Sequence, residues 1–437
     1  MKTFKDLGLK PELLLAVERL GFQQPTPIQI ETIPAILEAR RDLIALAQTG
    51  TGKTAGFGLP IVQQIDAESR TVQALILCPT RELCLQISRD LTGFASDRSG
   101  LSLAPVYGGA SMETQIKLIK KGAQIVIGTP GRTLDLIKRK ALRLETVRWL
   151  VLDEADEMLN MGFREDLDAI LSKTGPEKQT LLFSATMPEG VRRISASYMQ
   201  NPREITAGVR NSGADQVTHE YYVVKSHNRY TAVKRLADMS PDIYGIIFCR
   251  TRSDAREITS ELLSDGYNAD ALHGDLTQAQ RDTVMDRFRK RQIQLLVATD
   301  VASRGLDVSE LSHIINFTLP DDPEVYVHRS GRTGRAGRTG KSLIILQPKE
   351  LFMIRRLEKL VGKKFEYRKI PSGQEICEKR LYSLMDRIEK TKVNEKEISP
   401  FLPAIQQKLS WLDRDELLKR IVAFEFNRFL DYYRMAG

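Results

Sequence analysis

Cysteine is scarce in this chain, with four in 437 residues, at Cys78, Cys84, Cys249 and Cys377. They are scattered without the spacing of a metal knuckle or a disulfide framework, which excludes a stapled secreted scaffold and a zinc module. Cys78 and Cys249 fall inside apolar runs, where a buried thiol is the expectation. Long hydrophobic runs are missing too. The longest are strand-sized, so no membrane span is predicted, and Met1–Lys10 holds no apolar stretch of signal-peptide length. The composition therefore predicts a cytoplasmic protein in a reducing compartment, with no membrane contact.

What is present points to more than one domain. The chain is 42% hydrophobic and 28% charged, enough to build two cores and a smaller appendage. Apolar runs at Leu43–Ala47, Gln73–Cys78, Ile125–Ile127, Trp149–Leu152 and Thr180–Phe183 each lead through a turn into a helix-like segment. That alternation predicts buried parallel strands in an α/β sheet. A second series, Tyr244–Cys249, Ala269–Leu272, Ile293–Ala298, His313–Asn316 and Gly340–Leu346, follows a polar stretch around Asn211–Asp215. We expect a domain over residues 1–207, a linker over 208–216, a similar domain over 217–350, and a basic helical region over 351–437 without strands. The last region carries 19 Lys+Arg against 13 Asp+Glu, so it holds +6 of the chain's +9 charge. A polyanionic partner is favoured, and the tail is where an extra contact to it is expected.

Two motifs carry chemistry by themselves. Gln48-Thr49-Gly50-Thr51-Gly52-Lys53-Thr54 follows the strand Leu43–Leu46. Glycines let the backbone curl around phosphate oxygens, and the helix beginning there adds its positive end. Lys53 is expected to reach the β and γ phosphates of ATP, and the Thr54 hydroxyl to ligate Mg²⁺. Asp153-Glu154-Ala155-Asp156 closes another apolar run. Three carboxylates at a buried strand end are costly unless something satisfies them. Asp153 suits hydrated Mg²⁺, and Glu154 suits activation of the attacking water. Upstream, Phe4 stands 18 residues before Phe22, and Gln29 follows it. Glutamine can pair with both polar atoms of an adenine edge, and an aromatic ring can cover its face. On local chemistry alone, a turn and a core phenylalanine explain these residues more simply.

Taken in order, these motifs resemble those of the DEAD-box RNA helicases of superfamily 2, over residues 1–346. The acidic motif spells the family name. The resemblance implies two tandem RecA-like domains and gives Phe4, Phe22 and Gln29 the adenine-reading role. It implies RNA contacts by Pro79, Thr80 and Arg81, by Gly109, and by Thr129, Pro130, Gly131 and Arg132. Ser184-Ala185-Thr186 resembles the element that couples hydrolysis to strand separation. Cys78, where alanine is common, and Ser303, which replaces the usual alanine, remove no reacting group.

In the second domain, Tyr326–Arg338 packs four arginines, three glycines and a histidine into thirteen residues. On composition this is either a solvated loop meeting backbone phosphates or a set of guanidinium forks for a γ-phosphoryl group. The resemblance selects the second role for Arg332 and Arg335, and makes His328 a coupling contact. It gives Asp307 to the ATP ribose, and places Thr299 and Arg304 near RNA phosphates. Hydrolysis would then draw on both domains, with RNA favouring closure. His219, His227 and His313 read as structural, and His273 is given no chemistry. The residues imply phosphate contacts but do not read the sugar. RNA preference and local, non-processive unwinding come from the resemblance. A DNA-translocating motor and a non-hydrolysing RNA clamp are the competing readings.

The tail is the loosest part. Ser372 is a candidate helix cap after Pro371, and Cys377, Leu381, Leu384 and Ile388 form an apolar seam. Pro400 and Pro403 interrupt the pattern, and the stretch from Leu417 to Tyr433 is strongly apolar. Either this surface packs within the chain or it pairs with a second copy through residues 365–437, leaving Lys363, Lys364, Arg368 and Lys369 for RNA. Resemblance to bacterial cold-shock-type members of the family favours the homodimer.

Overall fold

The computed structural model describes residues 2–38, 41–47, 50–206, 216–303, 308, 311–334 and 339–435; within these, side chains are described except at 301, 303 and 425–435. The expected linker, save Gln216, and the site residues Gln48, Thr49, Arg304, Asp307 and Arg335 lie outside the described residues.

The chain divides into two compact units, one holding the first seven strands and the other the last seven. In the first unit the strands are β1 (Leu43–Leu46), β2 (Ala74–Leu77), β3 (Leu103–Val106), β4 (Ile125–Gly128), β5 (Trp149–Asp153), β6 (Gln179–Ser184) and β7 (Arg203–Thr206). They form one sheet in the order β3-β4-β2-β5-β6-β1-β7, every neighbouring pair parallel. Parallel strands need crossover helices, and those helices bury both faces. The side-chain alternation shows it. Ala74 and Ile76 enter one core while Leu75 and Leu77 of the same strand enter the other.

The second unit repeats the plan. Its strands are β8 (Val217–Val223), β9 (Gly245–Cys249), β10 (Ala269–Leu272), β11 (Leu295–Thr299), β12 (His313–Asn316), β13 (Gly340–Leu346) and β14 (Glu366–Tyr367). The order is β10-β11-β9-β12-β13-β8-β14, again all parallel. Two tandem RecA-like parallel-sheet units are thus present, followed by a helical C-terminal region.

The sequence reading is corrected at the tail. Strand structure does not stop at residue 350, because β14 adds to the free edge of β8. The edge strands β3, β7 and β14 escaped the hydrophobic pattern because they are short and, at β7 and β14, largely exposed. Pro105 sits in β3, where an edge tolerates the missing N–H. Strand β8 was hidden differently. Its buried Glu220 accepts from Tyr222 Oη at 2.5 Å, so a polar residue occupies a covered position.

The helical tail begins as part of the second unit. Ser372 caps the helix Gly373–Lys390 in a reciprocal box with Glu375, the two side-chain–backbone bonds spanning 3.2 and 2.7 Å. Ile376 and Cys377 pack on Met239, and Arg380 pairs with the buried carboxylate of Asp238. The helix Arg414–Met435 then lies along Gly373–Lys390. Ile388 is half exposed, and Phe401, Trp411 and Phe424 are 65%, 68% and 86% exposed.

Candidate nucleotide and RNA sites

Strand order decides which motifs meet. In parallel sheets, ligands bind beyond the carboxyl ends of the strands. Strands β5, β6 and β1 are neighbours, and their carboxyl ends lead into Asp153–Asp156, Ser184–Thr186 and the phosphate loop. Strands β3, β4 and β2 occupy the other half of the same sheet, leading into Gly108-Gly109, Thr129–Arg132 and Pro79–Arg81. The nucleotide-type motifs and the backbone-contact motifs are thereby sorted into two adjacent halves of one sheet edge.

The phosphate loop turns through Gly50 and Gly52, at φ +84° and +85°, a region that favours glycine. A Cβ at Gly52 would strike Gln29 Nε2. Gln29 is buried, its Oε1 accepting from Thr26 N at 2.9 Å and its Nε2 donating to Gly52 O at 3.1 Å. One amide thus joins the adenine-type element to the phosphate loop. Phe4 is buried beneath Phe22, ring centroids 6.2 Å apart, so Phe22 presents the accessible ring. The helix Lys53–Gln64 starts at the loop, and Lys53 Nζ donates to Ala47 O at 3.0 Å.

Asp153 ends β5 and is 3% exposed. Burial raises its carboxyl to about 7; the nearby Lys53 opposes this, while Glu154 and Asp156 add to it. The Asp153 carboxylate fits Mg²⁺ as one of the one or two protein oxygens that ion takes beside waters and substrate phosphates. Among the described residues no group of three or more acids, histidines or cysteines is placed to hold a metal without them. Glu154 follows at φ +52° and ψ +51°, left-handed backbone that a residue with a Cβ adopts at a cost. Such strain concentrates where a side chain must be aimed. Asp156 faces the other way and binds Thr186 twice, accepting from its N at 2.9 Å and its Oγ1 at 2.8 Å. Ser184 Oγ accepts from Asp156 N at 3.4 Å. The acidic motif and the Ser184–Thr186 element are therefore one hydrogen-bonded unit.

On the other half of the sheet, Thr80 caps the helix Arg81–Phe94 by accepting from Leu83 N at 3.2 Å. The Arg81 guanidinium lies 5.0 Å above the Tyr107 ring. Gly109 takes φ +82°, and Thr129 N donates to Val106 O at 3.0 Å. Pro130 opens the helix Pro130–Lys138, with Gly131 exposed beside it. Arg132 on that helix donates through Nη1 to Ala110 O at 3.1 Å and Gln115 Oε1 at 2.9 Å.

In the second unit, the helix Pro323–Ser330 carries His328, half-buried, and leads to Arg332, whose N donates to Arg329 O at 3.1 Å. Thr333 anchors the following turn through its hydroxyl to Leu311 O. Sequence reasoning missed Arg329. It is 2% exposed and forks Asp300 at 2.6 and 2.7 Å, with Nη1 on Asn316 Oδ1 at 3.0 Å and Thr318 O at 2.7 Å. It is an internal clamp tying the helix to the ends of β11 and β12, where Thr299 is also buried. The only sequence signal was its place within the helix, before Gly331.

Comparison with known proteins agrees with this geometry. Residues 26–194 match the DEAD/DEAH box helicase family, residues 228–337 the helicase conserved C-terminal domain, and residues 376–434 the helical domain of a probable ATP-dependent RNA helicase. The chain is 44% identical to the DEAD-box ATP-dependent RNA helicase CshA of Bacillus licheniformis, covering 93% of this chain and 83% of that one. It is 43% identical to the RNA helicase CrhR of Synechocystis, covering 93% and 82%. Among solved structures, Saccharomyces cerevisiae Dbp5 bound to RNA and ADP BeF3 is 30% identical with a TM-score of 0.78, covering 88% of this chain and 99% of that one. Among described residues no helix is long and apolar enough to cross a membrane. With the motif order, the paired seven-stranded sheets and these relatives in agreement, the chain belongs to the DEAD-box ATP-dependent RNA helicases, enzymes that use ATP to remodel RNA.

Proposed function

We propose that this helicase binds RNA through its backbone with low sequence specificity and separates short duplexes locally, without processive travel. The observation that carries the reading is the sorting of motifs along the first sheet. Pro79, Thr80, Arg81, Gly109, Thr129, Pro130, Gly131 and Arg132 would meet RNA beside the nucleotide motifs. Thr299 and Arg304 would contribute from the domain proposed over 217–350. Structures of family members bound to RNA, Dbp5 among them, support this.

For hydrolysis, Phe4, Phe22 and Gln29 would select adenine, Gln48–Thr54 would hold the phosphates, and Asp307 the ribose. Thr54 and Asp153 would hold Mg²⁺, which neutralises phosphate charge. Glu154 orients and deprotonates water. Arg332 and Arg335 stabilise charge on the transferred group. Ser184, Thr186 and His328 carry the coupling, for which the Asp156–Thr186 bonds supply support. The proposed division remains 1–207, 208–216, 217–350 and 351–437, in a cytoplasmic protein. The exposed apolar side chains of the tail, Phe401, Trp411 and Phe424, favour a homodimer through 365–437.

The test is phosphate release with and without single-stranded RNA or DNA, together with displacement of a short labelled RNA strand. Stimulation by RNA alone and displacement within a single binding event are expected. Equal stimulation by DNA, or efficient displacement that requires a long loading tract, would overturn the reading.

A further inference from the structure

Gln115 lies on the helix Met112–Lys120, in none of the motifs that face a ligand, yet its side chain is 4% exposed. Its amide is spent on two backbone-contact loops at once. Nε2 donates to Tyr107 O at 3.0 Å, immediately before Gly108-Gly109, and Oε1 accepts from Arg132 Nη1 at 2.9 Å. Ala110 O takes the second Nη1 hydrogen at 3.1 Å. An arginine has five donors in a planar fork. With both Nη1 hydrogens committed inward, the edge formed by Nε and Nη2 has no partner among the described residues. That edge is the one a phosphate accepts from in bidentate fashion.

We propose that Gln115 is a positioning residue for RNA binding: it holds the Arg132 fork and the Gly108-Gly109 turn in mutual register, leaving the Nε–Nη2 edge for one backbone phosphate. The Tyr107 link extends the register further, because Arg81 stacks on the Tyr107 ring at 5.0 Å. A single buried amide therefore joins loops that follow two different strands, β3 and β4, and the Tyr107 ring touches the loop that follows β2. This rests on the reading of Arg132 as an RNA contact.

A double-mutant cycle tests it, using anisotropy of a short labelled oligouridylate with a non-hydrolysable ATP analogue, and ATP-analogue affinity as the measure of an intact first unit. Gln115→Leu removes both bonds and should weaken RNA binding about tenfold, with nucleotide affinity unchanged. Gln115→Glu keeps the acceptor for Arg132 but sets a carboxylate oxygen against Tyr107 O, so it should recover only part of that loss. Arg132→Ala should weaken binding about tenfold or more, and adding Gln115→Leu to it should cost little beyond that. If Arg132→Ala binds RNA normally, the reading of Arg132 fails. If Arg132→Ala is weakened while Gln115→Leu is not, the positioning role fails and the RNA contact stands. A loss from Gln115→Leu that is the same in both backgrounds also overturns it. Should Gln115→Leu lose nucleotide binding, Gln115→Asn, one methylene shorter, is held to the same cycle.

Discussion

At the scale of single residues, burial and charge separate roles that the motifs leave merged. Lys53 and Glu154 are both buried, and the proposed roles divide them: Lys53 would hold phosphates and Glu154 would act on water. Lys53→Ala should weaken ATP binding at least about tenfold, whereas Glu154→Gln should retain binding and lose RNA-stimulated turnover by about a hundredfold or more. A Glu154→Gln protein with near-normal turnover would remove that residue from the chemistry. Asp153 gives a pH dependence. Its folded pKa of about 7 lies above the ordinary value, so between about pH 4 and 7 the folded chain keeps a proton that the unfolded chain releases. Its contribution is greatest at the acid end and is lost as pH rises to 7, by an upper bound of roughly 4 kcal/mol. Urea unfolding of the nucleotide-free protein should show that slope, and Asp153→Asn should flatten it.

Elements show how a basic run is divided. The helix Pro323–Ser330 turns Arg329 inward while Arg332 follows its end. Arg329→Ala leaves Asp300 without its fork and should cost about 3 kcal/mol of second-unit stability; Lys should not rescue it, having no planar fork. A loss below about 1 kcal/mol in urea unfolding would contradict the clamp. Histidines affect β8 and β12 in the same unit. Burial lowers His219 and His313 to about 4, with Lys363 and Lys341 adding to it, respectively. The unfolded chain then binds more protons between about pH 4 and 6.5, so stability is full above that window and falls as pH drops through it. Hydrogen exchange in Val217–Val223 and His313–Asn316, corrected for intrinsic rates, should accelerate at pH 5. Unchanged protection there would sink this account.

For the whole molecule, the exposed apolar surface of the tail sets the assembly prediction. Its first helix is clamped to the second unit by Arg380–Asp238 and by Ile376 and Cys377 on Met239, yet Phe401, Trp411 and Phe424 remain exposed. Light scattering at micromolar concentration should give a dimer for the full chain and a monomer for a chain ending at residue 391. Ending the chain at residue 362 is a poorer comparison. It also strips Phe365, whose ring stacks on His219 at 4.6 Å and lies 5.6 Å from Tyr326. A monomeric full-length protein would overturn the dimer; a dimer that survives the cut at 391 would move the interface elsewhere.

The sequence by itself determined the family and most of the sheets. Lys53 opens the helix after β1, and Asp153 and Glu154 stand at the end of β5, because apolar runs and turn residues place them there, and such patterns are local. The edge strand β10 was legible, but the edge strands β7 and β14 were not, since they have too little covered surface to impose a pattern. Neither was the division of labour among side chains far apart in sequence. Gln115 reads as one more polar residue on an exposed helix until Tyr107 and Arg132 are brought to it. Arg329 reads as one more phosphate ligand until Asp300 and Asn316 close around it. Strand order is the physical reason. A parallel sheet joins strands through crossovers, so neighbours in space are remote in sequence. Only packing of the two apolar faces settles which loops share an edge.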